Sequence, residues 1–142
     1  MTPGLTVGSR SSHAWTVTDS ELVPALFGGT AFADMPAVLA TAHMVGLMEW
    51  ACVLHLRPYY RPGQSSVGVH VDVDHSAPTL PGQRVTVETE LQQIDGRFIW
   101  FGVRAHDGID VIGQGRHRRA LIDTAKFNDR LIAKGEQAGL EG

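Results

Sequence analysis

Three residues of this 142-residue chain have side chains of the types that general acid–base chemistry uses: Thr41, Glu49 and His75. Glu49 stands inside an otherwise apolar stretch, with Ala42, Val45, Gly46, Cys52 and Val53 on its side of a helix. A carboxylate there is costly unless it is paired or protonated. It therefore marks either a buried ion pair or a functional group. Thr41 precedes Glu49 by eight residues, which on a helix leaves the two side chains about 80° apart around the axis and about two turns apart along it. They can border one pocket, although a helical threonine can equally bond back to its own backbone. His75 has the parity of Val67, Val69, Val71 and Val73. Alternation along a strand aims it inward with them, either as a satisfied core histidine or as a base. An inward His, a buried Glu and a Thr make a general-base constellation. Spacing does not bring them together by itself.

Other clusters have plainer readings. His70, Asp72 and Asp74 share the polar face of the same strand, where solvated charges are normal, so no metal site is expected. Arg116 and Arg118 point one way from the last strand and Arg119 the other. They fit a charged, solvated sheet edge or a phosphate clamp for a nucleotide-bearing substrate. Cys52 lies among apolar helix neighbours and reads as core.

The elements that must position these groups follow from periodicity. Ser9–Val17 alternates as a strand. Residues 19–35 form a loop with a helical turn at most, carrying Phe27 and Phe32, and long loops of this kind are often lids. Pro36 to about Leu56 reads as a helix, opened by Pro36 with Asp34 as a possible cap and closed by Pro58. It is apolar nearly all round, which implies burial on every side. Alternating strands follow at 66–74 and 84–91. Asp95-Gly96 and Asp107-Gly108 mark tight hairpins around Phe98–Ala105, which is apolar on both faces and so central. The strand at 109–122 carries Gly113 and Gly115, signs of a bulge. Asp123 can cap a final helix to about Lys134, leaving 135–142 as a frayed tail. One sheet cannot cover a helix apolar all round, whereas a wrapping sheet plus a second copy of the chain can. The expected architecture is α+β, one domain over 1–142: an antiparallel sheet wrapped around one long buried helix, paired as a homodimer.

Composition agrees with a single globular domain, at 43% hydrophobic and 19% charged residues. A net charge of −3 gives no bulk affinity for nucleic acid. One cysteine excludes an intrachain disulfide. No apolar run is long enough to span a bilayer, and Met1–Ser12 lacks the pattern of a secretory signal, so a cytoplasmic protein is expected.

Several long segments resemble the fluoroacetyl-CoA thioesterase family, whose fold is the hotdog. The segments are Thr41–Cys52, His75 with the following Ser76–Gly82, Ala105–Asp110 and Lys126–Asn128. The resemblance implies a catalytic set of Thr41, Glu49 and His75. It further implies Gly68 near the acyl group, Arg119 near the site or the pantetheine arm, and homodimers with sites at the subunit interface. The implied substrate is an acyl thioester carried by coenzyme A or by an acyl carrier protein. The carrier's phosphopantetheine is part of the substrate, and no cofactor or metal is required. The chain departs from the family around the pocket. Phe32 matches one aromatic of the lid, but Met35 replaces a second phenylalanine, and Ala42-His43 replaces a Gly-Phe pair. Met fills irregular space, which suits a larger or more varied acyl group. The expected reaction is hydrolysis. Addition of water or an amine to an enoyl thioester is one alternative, and non-catalytic binding of an acyl thioester is another.

Overall fold

The structure, a computed structural model, describes residues 4–140; Met1–Pro3 and the last two residues of the expected tail lie outside it. The elements run β1 (Arg10–Thr16), α1 (Thr41–Leu56), β2 (Gln64–Val73), β3 (Arg84–Asp95), β4 (Phe98–His106), β5 (Val111–Asp123) and α2 (Thr124–Gln137). Short 3-10 turns occupy Asp19–Glu21, Val23–Gly29 and Arg57–Tyr59. The five strands form one antiparallel sheet in the order β1-β3-β4-β5-β2. As its two apolar faces predict, β4 is central.

One face of the sheet packs on α1. Val85, Val87 and Leu91 of β3 and Ile99, Phe101 and Val103 of β4 join Met44, Leu47, Met48, Ala51, Cys52 and Leu56 of α1 in one core. Burial pushes the Cys52 thiol up to about 12, so it is an inert core group. Where the helix meets β1 and β3 it carries a buried His55. Its Nδ1 lies 2.8 Å from Thr89 Oγ1 and its Nε2 2.9 Å from Ser9 Oγ. Both ring nitrogens are thus partnered, and burial holds the ring's pKa below the ordinary histidine range.

The structure corrects four expectations. First, α1 begins at Thr41 and not at Pro36. Residues 36–39 are drawn into backbone pairing: Leu39 N–H donates to Thr79 O at 2.9 Å, and Leu39 bridges Leu22. Ala40 is the N-cap, no side chain caps the helix, and Asp34 has no part in it. Second, α1 is not buried all round within one chain. Thr41, Ala42 and Gly46 are exposed, and Glu49 is half-buried. Third, the valines of β2 do not all face inward. The register steps from Gly68↔Arg119 to His70↔Arg118, so Val69 is an extra residue. A one-residue bulge reverses which side chains face the core. Ser66 and Gly68 consequently face α1 before it, and Val73 does after it, while Val69 and Val71 are 42% and 43% exposed. Fourth, β5 is not an edge, because it lies between β4 and β2.

Local signals elsewhere hold. Gly96 and Gly108 take positive φ in the two predicted hairpins. A register shift falls at Ala105/His106 opposite Gly113. The Asp123 side chain accepts from Lys126 N–H at 3.1 Å and caps α2, which runs three residues beyond the expected end. Among the described residues no helix is long and apolar enough to cross a membrane.

Candidate active site

Two groups of side chains lie along the exposed side of α1. The first is at its N-terminus. Thr41 Oγ1 stands 2.7 Å from His75 Nδ1. His75 lies just past the end of β2, where the bulge has restored the inward parity. Its Nε2 is buried and has no hydrogen-bond partner. A buried ring nitrogen without a partner is costly in a resting protein and useful in one that must take a proton. The uncapped first turn of α1 adds backbone N–H groups and the positive end of the helix dipole beside it.

The second group lies two turns along. Glu49 Oε1 is 3.3 Å from Arg119 Nη1. Arg119 is itself held on three sides: its Nε donates to Ser66 Oγ at 2.8 Å, its Nη2 to Ser66 O at 3.0 Å, and its Nη1 to His117 Nε2 at 3.1 Å. Ser66 Oγ also meets Tyr60 Oη at 2.6 Å. His117 must then present a lone pair at Nε2, and its Nδ1 donates to His70 O at 2.9 Å. Burial, followed by the neighbouring Arg119 charge, favours the neutral ring that this arrangement needs; the His70 carbonyl and Glu49 act in the opposite sense. The bulge at Val69 is what turns the His70 carbonyl and Gly68 to this cluster. A Cβ on Gly68 would collide with Glu49 Oε1 and lie 3.1 Å from His117 Cε1, so the backbone here approaches the carboxylate as only glycine permits.

The structure therefore joins Thr41 to His75, and Glu49 to Arg119 and Gly68. No hydrogen bond or ion pair among the described residues links the two groups. Ala42 is exposed and His43 half-buried in the turn that holds Thr41. Phe32 stacks on Phe27 with ring centroids 6.2 Å apart, and Met35 is 47% exposed. Both lie in the segment preceding α1, outside the core. His117, Ser66 and Tyr60 join the site without standing out in the sequence. The parity of His117 with Arg119 was the available signal, but Ser66 was hidden by the bulge. A cavity of about 660 Å³ lies on the opposite face of the sheet and includes none of these groups.

Residues 17–125 match the family model described as fluoroacetyl-CoA-specific thioesterase. The chain belongs to that family. A fluoroacetyl-CoA thioesterase of Streptantibioticus cattleyicolor is 45% identical over 135 residues, spanning 94% of this chain and 97% of that one. A solved structure of a fluoroacetyl-CoA thioesterase superposes with a TM-score of 0.90 at 45% identity, over 92% of this chain and 98% of that one. A hot-dog-like protein from Thermanaerovibrio acidaminovorans, 23% identical, shares the fold alone, with a TM-score of 0.77 over 90% of this chain and 91% of that one. This chain is thus a hotdog-fold thioesterase, a hydrolase of acyl thioesters. One structure of the fluoroacetyl-CoA thioesterase, a point variant, holds fluoroacetate and CoA.

Proposed function

We propose that this thioesterase hydrolyses a small or medium acyl-CoA, with Thr41, Glu49 and His75 as its catalytic residues. The observation that carries the reading is His75: one nitrogen is fixed by Thr41 and the other is buried and open. With Nδ1–H donating to Thr41 Oγ1, Nε2 holds the lone pair and takes a proton from water. Glu49 either attacks the thioester carbonyl or works with His75 to activate that water. Water adds its oxygen to the acyl carbon, the carbon–sulfur bond breaks, and the thiolate leaves with the proton returned from His75. The uncapped N–H groups of α1 stabilise the developing oxyanion. Arg119, steadied by Ser66 and His117, sets the position of the Glu49 carboxylate, and Gly68 leaves room for it. Phe32, Met35, Ala42 and His43 line the acyl end. The steps need only these side chains and the thioester, with no further cofactor.

The partner in this reading is a second copy of the chain. β2 is an edge strand on which Val69 and Val71 are exposed, and the side of α1 bearing Ala42 and Gly46 is uncovered. Pairing there would cover the apolar side of α1 and close the space between the two groups. Acyl carrier protein remains an alternative carrier of the same thioester, and the cytoplasm is the compartment we assign. The test is free-thiol release from acetyl-, fluoroacetyl-, crotonyl- and longer acyl-CoA thioesters, with product masses recorded and His75→Ala alongside. Release of the simple acid that depends on His75 is expected. A β-substituted acyl product, or no turnover of any thioester, would overturn hydrolysis by this site.

A further inference from the structure

Two arginines of β5 are left unused by this mechanism. Arg116 and Arg118 project from the face of the sheet opposite α1, away from Arg119. The Arg116 guanidinium lies 4.1 Å from the centroid of Trp100. That of Arg118 lies 5.3 Å from Trp100 and 4.8 Å from Phe98, and that of Arg97 lies 4.8 Å from Phe98. Cations and rings thus alternate along a strip: Arg116, Trp100, Arg118, Phe98, Arg97.

The carboxylates nearby on β3 are occupied by other partners. Glu88 pairs with Arg104 and His106, and Glu90 with Arg10. Among the described residues no carboxylate pairs with Arg97, Arg116 or Arg118. Asp72 is opposite Arg116 in register but forms no ion pair with it. Arg116 Nε reaches only the neutral Gln92 Oε1, at 3.2 Å, and Arg118 Nε is buried without a partner. A guanidinium stacked on a ring is held in place while its N–H edge stays free, the arrangement suited to bidentate binding of phosphate. Strand geometry sets the Cα atoms of Arg116 and Arg118 about 7 Å apart, enough for separate anionic groups. The whole chain carries −3, so three unpaired arginines on one strip are a local feature and not the by-product of a basic protein.

We propose that the Arg97–Arg116–Arg118 strip binds the phosphate groups of a nucleotide bisphosphate. Two sources present that chemistry: the nucleotide end of a CoA thioester, or a free nucleotide bound apart from the catalytic site. Only the first rests on the thioesterase reading.

The probe is adenosine 3′,5′-bisphosphate, titrated calorimetrically into the wild-type protein and into Arg116→Gln/Arg118→Gln. Binding should weaken by roughly 10-fold or more in the double variant, the loss of at least one charge-assisted contact. Arg10→Gln, whose partner is Glu90, should bind as wild type, and Arg116→Lys/Arg118→Lys should recover part of the affinity. KM is then measured for an acyl-CoA and for the same acyl group on N-acetylcysteamine, which has no phosphates. If KM rises for the first substrate alone, the strip holds the substrate's own nucleotide. If bisphosphate binding is lost while both KM values stand, the strip serves a separate ligand. No bisphosphate binding by the wild type, or equal binding by the Gln double variant, overturns the proposal. The calorimetric arm decides this even if no thioester is turned over.

Discussion

Thr41 Oγ1 approaches His75 Nδ1 to 2.7 Å, and this contact leaves Nε2 as the buried, unpartnered end of the ring. The hydroxyl therefore fixes the ring's orientation, and in the tautomer in which Nδ1–H donates to it the lone pair sits at Nε2. His75→Ala should lower kcat by at least about 10²-fold. Thr41→Val should also lower kcat, and Thr41→Ser should retain most of it because the hydroxyl survives. Steady-state kinetics of the three variants check this, and near-normal turnover by His75→Ala would remove the base from the mechanism.

Gly68→Ala places a methyl group against Glu49 Oε1 and within 3.1 Å of His117 Cε1. The end of a half-buried glutamate can swing aside at little cost to the fold. The expected result is a large loss of kcat with Tm within a few degrees of wild type. Loss of folding instead would mean that the His117 ring, and not Glu49, is what the methyl group displaces.

Arg119 and Glu49 should separate stability from activity. Arg119→Leu leaves Ser66 O and His117 Nε2 without their donor in a buried place, which costs about 2 kcal/mol, or roughly 6–8 °C in Tm. The ion pair itself adds little, because the Glu49 side chain is 43% exposed. Glu49→Gln should accordingly unfold near the wild-type temperature while losing turnover. Thermal denaturation and thiol release on the same samples test both halves.

How much of this was legible in the sequence depended on how local each signal is. The strands, both hairpins, the central place of β4 and the Asp123 cap follow from alternation and turn chemistry within a few residues. The outward Arg116 and Arg118 and the inward Arg119 follow from the same parity. The extra residue at Val69 does not, because nothing in a run of Val-Gly-Val-His-Val announces a bulge. Parity counted from Val67 aims His75 inward by assigning the wrong face to Val67, Ser66 and Gly68. The start of α1 was missed for a related reason. Pro36 suits a first turn locally, but long-range pairing of Leu39 with Leu22 and Thr79 keeps residues 36–39 out of the helix. The Glu49 cluster was half visible: its charge in an apolar helix stood out, but the His117 and Ser66 that serve Arg119 meet it only through tertiary structure.

Acid should destabilise the fold through histidines. Burial holds the pKa of both His55 and His117 below the ordinary value. Between the lowered folded values and about 6.5 the unfolded chain binds more protons than the folded one, so stability rises with pH across that window. It is fully present above about pH 6.5 and is lost as pH falls towards the folded values. Tm should drop on that side, and His55→Asn should flatten the slope even if it lowers Tm at pH 8. An unchanged slope would assign the acid sensitivity to other groups.

The separation of the two groups on α1 predicts complementation between inactive subunits. Thr41 and Glu49 are eight residues apart, about 12 Å of helix rise, and among the described residues no hydrogen bond or ion pair within one chain bridges the two groups. If the second copy packs across the uncovered side of α1, Thr41 and His75 of one copy can face Glu49 of the other. A mixture of His75→Ala and Glu49→Gln chains then contains heterodimers with one site carrying both lesions and one carrying neither. Unfolding and refolding the mixed variants should restore activity, approaching a quarter of the wild-type value for random pairing, since half the dimers would hold one intact site of two. Each variant refolded alone should stay inactive. If the mixture also stays inactive while light scattering shows mixed dimers, His75 and Glu49 act within one chain, and the helix must bring them together by a motion that thiol-release kinetics would then have to resolve.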